Sequence, residues 1–430
     1  MPRILVVNAG SSTIKFRLYN LTSASKLTIL VKGTASSLGA PKSPIQIQIL
    51  KDSDANTTSR TLTDEATDGT DHESVFRKMI QVLQDNDEKL LTDVLAVGHR
   101  VVHGGQDFTQ PTLITPSSIS TLDSLSALAP LHNHPSVVLI KTTLKLFPDS
   151  KQVGVFDTSF HSTLEEKVWR YPLPFEACNQ SGLRKYGFHG TSHNYVSRLV
   201  LDRHPGINLI SLHLGNGCSA CAIKNGVSID TSMGYTPLEG LMMGTRSGDI
   251  DPSAPFHISQ PGFSLDKVPA IKSAPAGPKI SKVEDVLNHE SGLRGICGEN
   301  DVRKIVDLMR NGEGEKKRRA ELAFDMFCYR IQKYIGAYHI ALNPAHGIIF
   351  TGGIGENSSL VRAKVCQNLT CIGVHLEESK NEKCSLNDNK VVEISKEGSP
   401  VKVFVVATDE EGEIARISLG LVEKEKGKEE

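Results

Sequence analysis

The chain lacks any apolar run long enough to cross a bilayer, so no membrane-spanning segment is expected. Its amino terminus, MPRILVVNAG, carries no charged leader, long apolar core or small-residue cleavage site, which predicts a cytoplasmic rather than a secreted protein. An excess of charge is also missing. The formal net charge of −1 argues against nucleic-acid or membrane-surface partners while leaving local cationic sites open. A disulfide framework is absent: eight cysteines scattered over 430 residues read as free thiols. Cys218 and Cys221 have metal-like spacing, yet no second such pair accompanies them. In a strand, residues three apart point to opposite faces, so buried packing is expected there rather than zinc.

What is present is a globular composition, 39% apolar and 23% charged, with 36 glycines for tight turns. The length suggests roughly two or three domains, each able to bury its own core.

Two stretches organise the chain. Residues 4–18, ILVVNAGSSTIKFRL, and 209–223, LISLHLGNGCSACAI, each read as a buried strand, a Gly/Ser/Asn turn and a second strand. Gly10, Gly215 and Gly217 allow a ligand close to the backbone, and Asn8, Ser11, Ser12, Asn216 and Ser219 offer short polar groups suited to phosphate oxygens. Glycine-rich hairpins are also common structural devices; the duplication is what turns the balance toward a polyphosphate held between two lobes.

Between the hairpins, residues 34–73 read as a polar surface hairpin with loops, and 72–90 as a helix burying Val75, Met79, Val82 and Leu83. A strand at 94–97 runs into the cationic cluster GHRVVHGG (98–105), and another at 152–156 leaves Asp157 at its carboxyl end. Such a carboxylate either faces a crevice or caps the next turn. YGFHGTSH (186–193) precedes a helix, with Thr191 and Ser192 as candidate caps. His189 then either sits at a helix-terminal anion site or is satisfied by backbone in a turn. Residues 234–251 form a glycine-rich loop holding Arg246 and an exposed-looking Met pair, and 256–282 a surface insertion. A long amphipathic helix covers 318–341, the strand 347–350 meets TGGIGENS with Asn357 or Ser358 capping the following helix, and the tail from Glu423 is expected to fray.

Taken together, NAGSS at 8–12, GHRVVHGG, FDTSFH at 156–161, YGFHGTSH, HLGNG at 213–217, GTRSGDIDP at 244–252 and FTGGIGENS at 350–358 resemble the acetate kinase family over nearly the whole chain, in order. The resemblance implies an α/β fold of duplicated RNase H-like (ASKHA) type, with ATP or ADP bound in a cleft between two lobes, and a homodimer. The first lobe would be 1–156, completed by 410–430, and the second, nucleotide-binding and dimerising, 157–409. The resemblance further places Arg100, Arg246 and His189 around the transferred phosphoryl group, with Asp157 as catalytic carboxylate and His132 beside them. Asn8 and Glu410 would position Mg²⁺ or Mn²⁺. Val102, Leu131, Phe188 and Pro237, next to Arg100, match the acetate pocket. Ser12, Lys15, His213, Gly215, Asn216, Gly217, Asp301, Val302, Arg303, Gly353, Ile354 and Asn357 fall where the family holds nucleotide. Three positions depart from the family pattern: His134 for Pro, Val302 for an aromatic residue beside adenine, and Asp409 for Asn. Gly353 and Ile354 leave room for adenosine, which favours ATP over pyrophosphate as donor.

Acetate is ionised at neutral pH, its carboxyl pKa being roughly 4 to 5, so its transfer chemistry needs no general base. The obstacle is repulsion between two anions, ~4 kcal/mol for unit charges about 4 Å apart at an effective dielectric near 20. Arginines answer that need with permanent charge and a planar fork. Other readings are a short-chain acyl kinase acting on propionate, a sugar kinase in which Asp157 is the base, and a non-catalytic nucleotide switch of the actin or Hsp70 type.

Overall fold

The computed structural model of the chain describes residues 1–430 except 11, 24–25, 52–53, 68, 126–132, 260–280, 388 and 430. The described residues form two compact units, one from Met1–Ser159 and Asp409–Glu430, the other from Phe160–Ile271 and Lys279–Thr408.

Unit 1 is built on β1 (Arg3–Ala9), β2 (Thr13–Ser23), β3 (Lys26–Ser36), β4 (Ser43–Lys51), β5 (Asp54–Ala66), β6 (Val94–Val101), β7 (Thr112–Leu113) and β8 (Lys151–Phe156), in the order β5-β4-β3-β2-β1-β6-β8-β7. Unit 2 has β9 (Leu209–Leu214), β10 (Cys218–Lys224), β11 (Val227–Thr231), β12 (Gly347–Thr351), β13 (Val391–Glu393) and β14 (Lys402–Val406), ordered β11-β10-β9-β12-β14-β13. The five-strand sets β3-β2-β1-β6-β8 and β11-β10-β9-β12-β14 are one motif used twice: an antiparallel meander continued by two parallel strands. The duplicated RNase H-like architecture implied by the family resemblance is therefore present in both units.

Parallel neighbours require crossover helices, and the sequence supplies them with apolar faces. His72–Asp87 buries Val75, Phe76, Met79, Ile80, Val82 and Leu83, and Asp71 starts it by accepting from the Glu73 and Ser74 amides at 2.9 and 3.1 Å. Gly314–Leu342 buries Ala320, Ala323, Phe324, Phe327, Ile331, Ile335, Tyr338 and Leu342, residues spaced three or four apart along one stripe. The terminal helix, Glu410–Glu429, packs Ile414, Ala415, Leu419 and Val422 on Ile4, Val6 and Val153 of unit 1. Its approach explains Gly98. A Cβ there would lie 2.5 Å from Ser418 Oγ.

The hairpin expected within 34–73 is present as the antiparallel pair β4 and β5, which extends the sheet beyond β3. At the edge, β5 needs only alternate apolar residues, and Leu62 and Ala66 are buried while their neighbours stay exposed. The tail from Glu423 continues the terminal helix instead of fraying. Met242 and Met243 are buried, at 5% and 0% exposure, not displayed. The eight cysteines are free thiols, as read; Cys218 and Cys221 are buried, and burial pushes the Cys218 thiol up to about 12. Most of the 256–282 stretch lies outside the described residues, apart from the short helix Ala254–Ile258 and the start of Lys282–His289.

Candidate active site

In unit 1 the carboxyl ends of the parallel strands β1, β6 and β8 bring three chemical groups together. Arg100 belongs to β6 itself, not to a loop beyond it, and Asp157 directly follows β8. Arg100 Nη2 lies 2.7 Å from Asp157 Oδ2, its Nε 3.6 Å from Glu410 Oε2, and its Nη1 3.4 Å from Asn8 Oδ1. Asn8 Nδ2 in turn donates to Glu411 Oε1 at 3.0 Å. Arg17 pairs with Asp409 and, at 3.1 Å, with Glu411.

Burial opposes charge throughout this cluster. It pushes Glu410 up to about 7, against the pull of Arg100 and with repulsion from Asp157 and Glu411. For Arg100 the same burial is outweighed by Asp157 and Glu410, which hold its guanidinium well above the ordinary value and permanently charged. Lys15 is exposed on β2, and its charge helps to lower the Glu410 carboxyl. Ser12 is exposed and Val102 buried. Leu131 and His132 lie outside the described residues.

Unit 2 carries a second set. The helix Gly190–Leu201 begins after His189, whose φ of 55° is left-handed and whose carbonyl accepts from the His193 amide at 2.9 Å. His189, and neither Thr191 nor Ser192, thus occupies the cap position. Ser192 is otherwise engaged, its Oγ bridging His213 Nδ1 at 2.8 Å and Thr408 Oγ1 at 2.9 Å. The strained turn at His189 is braced by His161, whose Nε2 donates to the Phe188 carbonyl at 3.1 Å. The His189 ring stacks on His213 with centroids 4.3 Å apart, and its Nδ1 meets Ser219 Oγ at 2.9 Å.

Arg246 comes to the same place on a stitched loop. Asp249 Oδ1 accepts from the Gly240 amide at 2.7 Å, Tyr334 Oη donates to Asp249 Oδ2 at 2.7 Å, and Arg330 Nη1 donates to the Gly240 carbonyl at 3.0 Å. Arg246 Nη1 donates to the Pro237 carbonyl at 3.3 Å. A Cβ built on Gly217 would stand 3.4 Å from Arg246 Nη1 and 3.5 Å from His189 Nε2. Both nitrogens therefore border one point that only a glycine at 217 leaves open.

Beside it in unit 2, a cavity of about 840 Å³ is lined by Gly215, Asn216, Asp301, Val302, Arg303, Gly353, Ile354 and Asn357 among others. Asp301 caps the helix Val302–Asn311 through the Arg303 amide at 2.9 Å and pairs with the Arg303 side chain at 2.7 Å. Of the residues matched to nucleotide by resemblance, Gly217 borders Arg246 and His189 instead, His213 stacks on His189, and Ser12 and Lys15 belong to unit 1. Of the two caps considered after Gly353, Ser358 is the one used, its Oγ accepting from the Val361 amide at 3.3 Å. Local sequence patterns assign no role to His193, Glu356 or Thr408. Glu356 accepts from the Gly352 and Thr408 amides, both at 3.0 Å, tying the glycine turn to the end of β14.

Comparison with known proteins follows the same outline. Residues 3–416 match the model of the acetokinase family. An acetate kinase of Syntrophobacter fumaroxidans is 42% identical over 98% of this chain and 97% of its own length. Two solved structures cover 98% of this chain and all of their own: a propionate kinase from Francisella tularensis, 36% identical with a TM-score of 0.83, and an acetate kinase from Porphyromonas gingivalis, 37% identical with a TM-score of 0.82.

Proposed function

The chain belongs to the acetokinase family and is a phosphotransferase, and from that premise we propose that it transfers the γ-phosphoryl group of ATP reversibly to acetate, giving acetyl phosphate and ADP by direct in-line displacement. The observation that carries this reading is the point above Gly217, bordered by Arg246 Nη1 and His189 Nε2 and next in sequence to Asn216 of the large cavity. A γ-phosphoryl oxygen fits there, with adenosine in the cavity. The reading requires Arg100 to act on the same phosphoryl group. A nucleotide switch has no use for these additional cations.

Arg246 and Arg100 offset the charge of the approaching carboxylate and of the three equatorial oxygens, and His189 donates a hydrogen bond. Asp157 orients Arg100 through the 2.7 Å contact. It takes no proton from acetate, which has none to give. The reading requires Val102, Phe188 and Pro237 to bound the methyl group; one more methylene changes discrimination by only ~1 to 3 kcal/mol, so propionate is a slower substrate.

A divalent cation, Mg²⁺ or Mn²⁺, fits the donor set. Mg²⁺ in phosphoryl-transfer sites is held by one or two carboxylates together with substrate phosphates. Asn8 Oδ1 and the Glu410 carboxylate, which lie on either side of Arg100, would hold it. When bound, the ion neutralises the β- and γ-phosphate oxygens.

We further propose a homodimer. Leu322, Met326 and Tyr329 form an exposed apolar stripe on Gly314–Leu342. Among the described residues no helix is long and apolar enough to cross a membrane.

The deciding assay traps acyl phosphate as hydroxamate with ATP or pyrophosphate as donor. Product is expected with ATP and acetate. No product from either donor would refute the enzyme reading, and product from pyrophosphate alone would refute the donor.

A further inference from the structure

We propose that Ser211, His193 and Ser219 form a directional hydrogen-bond relay that fixes His189 as the neutral Nε2–H tautomer, making His193 and Ser219 positioning residues for phosphoryl transfer. The proposal deepens the function proposed above and rests on it for its kinetic consequence. Its structural part stands alone.

The relay crosses from the helix Gly190–Leu201 to the hairpin β9–β10. His193 Nδ1 lies 2.9 Å from Ser211 Oγ, His193 Nε2 lies 2.7 Å from Ser219 Oγ, and Ser219 Oγ lies 2.9 Å from His189 Nδ1. Ser211, His193 and Ser219 are fully buried, so each polar hydrogen needs an acceptor inside the protein.

Each hydroxyl has one hydrogen to donate, and a neutral imidazole has one donor and one acceptor nitrogen. Among the described residues, the Ser211 hydroxyl has His193 Nδ1 as its side-chain hydrogen-bond partner, so it donates there. His193 Nδ1 is then an acceptor. Burial, together with His161 and His213 nearby, holds the His193 ring well below its ordinary pKa and therefore neutral. Its single proton sits on Nε2 and is donated to Ser219 Oγ. Ser219 in turn donates to His189 Nδ1. The proton of His189 is left on Nε2, the atom beside Arg246 Nη1 above Gly217.

Running the chain backwards would leave the Ser211 hydroxyl proton buried without an acceptor among the described residues. The forward direction uses every proton once. It also disfavours an imidazolium at His189, because a proton on Nδ1 would confront the Ser219 O–H. Charge at this point thus comes from Arg246, and His189 contributes a fixed neutral donor. The final histidine of YGFHGTSH earns its place by orienting the first.

Long-range ¹H–¹⁵N correlation spectra of the full-length protein, labelled on histidine, read the tautomers directly, with signals assigned by their loss in His189→Gln and His193→Gln. The expected result is Nε2–H for both rings, and mixed tautomers at His189 in Ser219→Ala. In the acetyl phosphate assay, Ser219→Ala is expected to lose about 10- to 100-fold in kcat with KM for ATP changed less than about 3-fold. His193→Gln keeps an amide donor facing Ser219 and is expected to retain most activity, whereas His193→Leu does not. An Nδ1–H ring at His189 in the unsubstituted protein overturns the relay whatever the His193 variants do. So does a Ser219→Ala protein with unchanged tautomer and kcat. Nε2–H rings in a protein that makes no acyl phosphate would leave the relay standing and refute the proposed function.

Discussion

Arg100 and Asp157 meet with Nη2 and Oδ2 2.7 Å apart, and the carboxylate is 1% exposed. Such a pair is costly to break from one side only, because the remaining charge stays buried. If Asp157 works through Arg100, the losses in kcat from Arg100→Ala and Asp157→Ala are expected not to add. The double variant should be no more than about threefold worse than Arg100→Ala alone. Additive losses would show that Asp157 touches the reaction independently.

Behind Arg100 on the same strand, His99 is fully buried with Nε2 donating to Gln152 Oε1 at 2.9 Å, and burial lowers its pKa from 6.5 to about 4. The unfolded chain takes up this proton first as the pH falls. The contribution is therefore fully present above pH 6.5 and is lost as the pH drops towards 4. At pH 5 the loss amounts to about 2 kcal/mol. His99→Gln cannot titrate. Urea unfolding at pH 7 and pH 5 should show a smaller acid loss for this variant by about that amount, and equal losses would mean that His99 is not held neutral.

The proposed acyl pocket offers a specificity test. Val102 is buried at 7% exposure immediately after β6. Val102→Ala is expected to raise kcat/KM for propionate or butyrate relative to acetate by about 10-fold, the lower end of what one methylene commands. An unchanged ratio would remove Val102 from the pocket.

Both hairpins were legible because β-branched runs broken by Gly/Ser/Asn turns carry their own pattern, and so was the burial of Cys218 and Cys221. Less was visible where the pattern is set from a distance. Gly98 reads as the start of a loop, but it is glycine to admit the terminal helix, and Arg100 lies in the strand that continues through it. Thr191 and Ser192 look like caps, but Ser192 is drawn away to His213 and Thr408. The role of His193 depends on Ser219, on another element, and no local spacing encodes it. Met242 and Met243 sit among glycines yet are buried, because their loop is laced to Gly314–Leu342 by Arg330 and Tyr334.

The apolar stripe on that helix predicts assembly. The proposed dimer would cover Leu322, Met326 and Tyr329, which are 42%, 39% and 63% exposed. Light scattering is expected to give the mass of a dimer, and Met326→Glu combined with Tyr329→Asp that of a monomer. A monomeric unsubstituted protein would refute the interface.

Gly217 allows the proposed phosphoryl site to be blocked without disturbing the fold. An added Cβ would lie 3.4 Å from Arg246 Nη1 and 3.5 Å from His189 Cε1 and Nε2, ordinary contact distances that displace nothing in the protein. A phosphoryl oxygen needs the same volume, since it must come within about 3 Å of both nitrogens. Gly217→Ala is therefore expected to melt within about 2 °C of the unsubstituted protein while kcat falls at least about 10²-fold. Arg246→Ala opens the same point but removes its charge, and should cost on the order of 10³-fold or more in kcat with little change in KM for ATP. A Gly217→Ala enzyme that is both stable and fully active would place the transferred phosphoryl group elsewhere.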